Sequence, residues 1–96
     1  MASVEWSGEA LEQLDQIIAY IDVFDPPAAR RLSSRLLALG NSLTAFPDRG
    51  RPAGNGVREM VTVRPYILRY QVSDDGTKVI IRSVRHSARL PMDDNA

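Results

Sequence analysis

The 96-residue chain predicts an α+β domain of order β-α-α-β-β-β, with a helical hairpin packed on one face of an antiparallel sheet and the other face open. Three observations lead there. Apolar residues recur at helical spacing from residue 7 to 46 and at a period of two after residue 57. A stretch rich in Gly and Pro, residues 47–56, separates the two regimes. Asp25-Pro26-Pro27 divides the helical half in two.

Ala2-Ser3-Val4-Glu5-Trp6 alternates and reads as a short strand. Ser7 is placed to cap a helix over about residues 7–23, with Glu9 in the first turn where the helix dipole favours an acid. Leu11, Leu14, Ile18 and Ile21 form its stripe, widened by Ile17 and Phe24. Asp25 caps a second helix, since Pro at a first helical position loses no hydrogen bond. Ala29, Leu32, Leu36, Leu39 and Leu43 form the stripe of that helix, which must end by Phe46 because Pro47 follows. So short a link makes the two helices an antiparallel hairpin. Val57–Val63, Tyr66–Ser73 and Val79–His86 read as strands, broken at Arg64-Pro65 and turned at Asp74-Asp75-Gly76. The polar tail from Met92 to Ala96 is expected to fray.

Length allows a single domain spanning 1–96, and one this small gains from a partner. With no cysteine and one histidine, neither a disulfide framework nor a metal site is expected, and no cofactor is implied. The start lacks a basic leader, and no apolar run nears the ~20 residues of a membrane helix, so a cytoplasmic protein without membrane contact is expected. The net charge of zero hides a polarity. Residues 1–48 hold three basic and seven acidic side chains, and residues 49–96 hold nine and five. Such a split suggests an anionic partner for the basic half.

Several stretches resemble the RelE/ParE toxin superfamily. They are a Trp near the start, Tyr20-Ile21, and Asp25-Pro26-Pro27-Ala28-Ala29-Arg30-Arg31-Leu32. Phe46-Pro47-Asp48-Arg49-Gly50-Arg51-Pro52, Val57-Arg58-Glu59-Met60-Val61 and Pro65 through Val72 follow, and Val79 through Arg89 closes the set. The likeness covers residues 4–91 and is more ParE-like than RelE-like. It implies a growth-inhibiting toxin of a type II toxin–antitoxin pair, associated with plasmid stabilisation. A cognate ParD-like antitoxin, encoded upstream, would neutralise it by wrapping it in a hetero-oligomer. ParE-type members are associated with poisoning of DNA gyrase, whereas RelE-type members cut mRNA in the ribosome.

RNA cleavage by a 2′-OH needs a proton acceptor, a proton donor and cations around the phosphate. In RelE-type members these include lysines and an arginine on the middle strands, then an arginine and a tyrosine near the C-terminus. Here Arg58 stands for one lysine, while the other positions fall on Met60, Ile67 and Ser87, and no tyrosine lies beyond Tyr70. The resemblance thus implies no confident catalytic residue and leans away from an enzyme. A nuclease would have to use Arg58, Arg82 and His86, with His86 as the group that titrates near neutrality. Alternatively, His86 is a strand-end residue bonded to the second helix or the loop, and Arg58 with Glu59 is a cross-strand ion pair. Arg69, Arg82, Arg85 and Arg89 are the candidate target-binding set, on or near the open sheet face. Strand alternation gives Arg82 and His86 one parity and Arg85 the other. Leu36, Leu37, Val23 and Arg69 are the candidate antitoxin contacts, because the hairpin carries more apolar side chains than one stripe can bury. A further possibility is a member that serves only as the antitoxin's corepressor.

Overall fold

The computed structural model describes residues 1–89. The expected tail at Met92–Ala96 and the side chain of Arg89 lie outside what it describes. Strand β1 is Ser3–Trp6, helix α1 Gly8–Phe24 and helix α2 Pro26–Asn41, extended by a 3₁₀ turn at Ser42–Thr44. Strands β2 (Arg51–Pro52), β3 (Val57–Met60), β4 (Tyr66–Val72) and β5 (Lys78–His86) follow, and Ser87–Arg89 make a last 3₁₀ turn. The sheet runs β1-β5-β4-β3-β2.

The caps are those the side chains dictate. Ser7 Oγ accepts from Ala10 N at 3.0 Å and Asp25 Oδ1 from Ala28 N at 3.1 Å, each satisfying an orphan donor of a helix start. Ser7 N also bonds Ile81 O at 2.9 Å, so the chain passes directly from β1 into α1. This lays β1 beside β5 in parallel, Ser3 opposite Lys78 through Trp6 opposite Ile81. The sheet is therefore mixed, which corrects the expectation of a purely antiparallel one. Two strand boundaries also differ. Residues 47–56 were expected to hold no strand, yet Arg51 pairs with Glu59 and Pro52 with Arg58. Pro is tolerated there because β2 is an edge strand. The hairpin closes through Gly54, Asn55 and Gly56, all at positive φ. Strand β3 stops at Met60, short of the expected Val63.

One core fills the space between the helices and the sheet. Leu14 from α1 and Leu36 and Leu39 from α2 meet Leu43, Met60, Leu68, Tyr70, Val79, Ile81 and Val84. Leu68 and Tyr70 thus face the helices, as alternation along β4 requires. Gly40 lies where α2 crosses β1 and β5. A Cβ there would stand 2.7 Å from Trp6 Cζ2 and 2.8 Å from Ile81 Cδ1, so the close approach depends on glycine. Two residues assigned to the α1 stripe fall outside the core. Leu11 is exposed, and Phe24 at the helix end is stacked edge-to-face on Tyr20 with ring centroids 5.3 Å apart.

Tyr70 fastens the 47–50 loop to the sheet. Its hydroxyl donates to Pro47 O at 2.7 Å and accepts from Gly50 N at 2.8 Å, and burial raises its pKa above 10.0. Arg58 braces the same loop, donating through Nη1 to Gly50 O at 2.7 Å and Asp48 O at 3.2 Å. Tyr70→Phe keeps the packing but strands the buried Gly50 N–H, a loss of roughly 1–3 kcal/mol. Urea unfolding should show the loss as a lower midpoint with an unchanged slope. An unaltered midpoint would mean that the hydroxyl does not hold the loop.

Candidate functional site

The open face of the sheet is organised by a β-bulge. Arg69 pairs with Ser83 but Tyr70 pairs with Ile81, so Arg82 is an extra residue on β5. The bulge corrects the simple parity expected of β5. Arg82 joins Ser83 and Arg85 on the open side, and His86 turns with Val84 toward the helices. Arg69, Gln71 and Val57 on β4 and β3 complete a depression of about 300 Å³, with Glu9 of α1 at its rim. Of the expected target-binding set, the structure brings Arg69, Arg82 and Arg85 together.

Glu59 anchors the arginines on this face. Its carboxylate, only 10% exposed, accepts from Arg69 Nε at 2.7 Å and from Arg51 Nη2 at 3.2 Å. Burial alone would raise its pKa, but the hydrogen bonds and charges of Arg69 and then Arg51 outweigh burial and hold it below 4.5. The expected pairing of Arg58 with Glu59 does not form: successive residues of β3 point to opposite faces, and Arg58 goes to the loop. The contribution of Arg51 was not visible in the sequence, because residues 51–52 carry no strand signal. The pair carries its own pH dependence. A carboxylate with a depressed pKa stabilises the fold above its ordinary value and loses that effect as pH falls through the folded-state value. Wild type should therefore exceed Glu59→Gln in stability most clearly above about pH 5, and the gap should narrow in acid. A gap independent of pH would assign the loss to packing.

His86 lies on the other side of the sheet. Its ring meets Tyr66 edge-to-face at 5.4 Å, and both line a cavity of about 180 Å³ with Ile17, Tyr20 and Ile21. Its Nδ1 accepts from Ala88 N at 3.1 Å, so its neighbours are α1 and the following turn; the expected contact with α2 or the loop does not form. Arg58 faces Tyr70, and His86 faces Tyr66. They are thus two strands and four β4 residues apart, on the order of 13 Å along the strand alone. Arg58, Arg82 and His86 do not converge on one reacting atom. Met60 is buried in the core, while Ile67 and Ser87 line a depression of about 370 Å³ with Arg51, Val61, Arg64, Pro65 and Tyr66. No carboxylate or imidazole lines it.

The expected antitoxin contacts separate by exposure. Leu36 is 0% exposed and cannot be one, because its helical position points into the core beside Leu39. Leu37 is 39% and Val23 77% exposed, and Phe24 at 72% adds apolar surface at the hairpin tip. Arg69 is on the opposite side, in the sheet depression. Among the described residues no group of three or more His, Cys, Asp or Glu could hold a metal ion, and no helix is long and apolar enough to cross a membrane.

The chain is thus a two-layer domain with a helical hairpin, an arginine-rich open face and exposed apolar helix surface. Residues 4–91 match the family described as the ParE toxin of the type II toxin–antitoxin system parDE. Toxin RelE2 of Caulobacter vibrioides is 47% identical over 90 residues, which is 94% of this chain and 100% of that one. The chromosomal ParDE system of P. aeruginosa contains a chain that superposes with a TM-score of 0.76 at 25% identity, covering 90% of this chain and 96% of that one. The RelBE2 toxin–antitoxin complex of Mycobacterium tuberculosis shares the fold, with a TM-score of 0.64 at 23% identity over 88% of this chain and 96% of that one. The chain belongs to the ParE toxin family, within the RelE/ParE superfamily of type II toxin–antitoxin systems.

Proposed function

We propose that this toxin arrests growth in the cytoplasm by binding an essential protein through its open sheet face, with DNA gyrase the leading candidate, and without chemistry of its own. The observation that carries this is the identity of three residues: Met60, Ile67 and Ser87 stand where the superfamily's nucleases carry cations. None of the three carries a positive charge or titrates near neutral pH, so none supplies the cation or the proton transfer that cleavage needs. A cognate antitoxin, encoded upstream, covers the exposed surface at Val23 and Leu37 and reaches as far as Arg69 on the sheet. Relatives solved with or named for such pairs support a partner of this kind. The relative named RelE2 favours the other reading, a ribosome-dependent endoribonuclease. Expression from a tightly controlled promoter separates the two. Filamentation with a DNA damage response supports the gyrase reading, and immediate loss of protein synthesis overturns it.

A further inference from the structure

We infer that the depression at the β5 bulge is a docking pocket for an acidic segment of the toxin's protein target, whose carboxylates pair with Arg69 and Arg82 on either side of Ser83. This rests on the target-binding role proposed for the open face and names the chemistry of what that face takes.

The geometry points to carboxylates held by planar forks. Each cation lining the depression is an arginine, whose fixed donors match a carboxylate in a bidentate way. The Nε bond to Glu59 fixes the guanidinium of Arg69 in advance, and its Nη nitrogens carry the remaining donors. The bulge puts Arg82 next to Ser83 on the same face, where an ordinary strand would send it to the other. At about 300 Å³, the depression has room for one or two acidic side chains.

Nucleic acid fits the same place poorly. None of the lining residues is aromatic, so bases lack the aromatic platform on which single strands usually stack. Three arginines against Glu9 and Glu59 leave only a small local surplus, enough for one or two carboxylates, whereas a nucleic acid draws its affinity from many phosphate contacts.

The test is a titration of the toxin followed through the arginine Nε–Hε resonances. The probes are a peptide rich in Glu and Asp, its Gln/Asn counterpart and an oligothymidylate of similar length. The expected result is a saturable shift of Arg69 and Arg82 with the acidic peptide alone, at least about tenfold weaker in Arg82→Glu and unchanged in Arg30→Glu, whose side chain lies on α2. A response to the amide peptide, tighter binding of the oligonucleotide, or no saturation overturns the pocket. Toxicity and antitoxin affinity of Arg82→Glu identify the source of the carboxylate. Lost toxicity with antitoxin affinity kept within about threefold supports the target, and the reverse pattern assigns the pocket to the antitoxin and overturns the inference. Acid-selective binding by a protein whose Arg82→Glu variant stays fully toxic sinks the proposed role of the face. A non-toxic Arg82→Glu variant without acid-selective binding in the wild type sinks only the carboxylate pocket.

Discussion

Leu36→Ala is expected to be the most damaging of the hairpin substitutions, lowering the unfolding free energy by roughly 2–5 kcal/mol. Leu36 has no exposed surface and packs with Leu14, Leu39 and Leu43 against the sheet. Truncation removes its transfer free energy and leaves a cavity that two helices anchored to one sheet cannot close. In a domain of this size each kcal/mol moves the melting temperature by roughly 4–8 °C. Leu37→Ala, one residue on but on the solvent side, should cost about 0.5 kcal/mol or less. In antitoxin binding the order reverses. Among folded variants, Leu37→Ala is expected to weaken the complex and Leu36→Ala is not. Equal thermal losses for the two variants would contradict the assignment of Leu36 to the core.

The second large effect is on toxicity. Reversing Arg82 and Arg85 together to Glu should abolish growth arrest while the protein stays folded. Arg82 is exposed on β5 and Arg85 is half-buried, and both side chains line the depression, with Arg85 also beside Gln13, Gln16 and Ile17 of α1. Arg82 is a surface position, where a substitution usually changes stability by less than about 0.5 kcal/mol, and neither residue belongs to the core. Two reversals change the local charge by four and place acids where an acidic target must approach, a repulsive arrangement that costs binding strongly. The check is growth on induction, with far-UV circular dichroism and a melting curve on the same variant. A folded double variant that still arrests growth would show that the working surface is elsewhere.

Most of the fold was legible because its signals are local. Ser7 and Asp25 cap the helices they precede, Pro26 starts α2, and the change of period locates the sheet. The parallel pairing of β1 was not legible, since register between chain ends has no local mark. Nor was β2, whose two residues lie between glycines and prolines and pair only because β3 is there to receive them. The site was partly legible. Arg69, Arg82 and Arg85 could be assigned to the sheet by position, but the bulge that puts Arg82 beside Arg85 and turns His86 inward breaks the period-two rule on which the parity rested. A cross-strand ion pair was expected at Arg58 and Glu59, and Glu59 does pair across strands, with Arg69 and Arg51, while Arg58 turns to the loop. The exposure of Phe24 was missed because helical spacing alone cannot tell where the supporting sheet ends.

That this toxin binds its target and leaves RNA whole is tested most directly by adding the purified protein to a translating system and mapping the message by primer extension. Intact mRNA is the predicted result, from wild type and His86→Ala alike. Codon-phased cuts in the wild type that disappear in His86→Ala would contradict it, and would make His86 a catalytic residue despite its place against Tyr66 and α1.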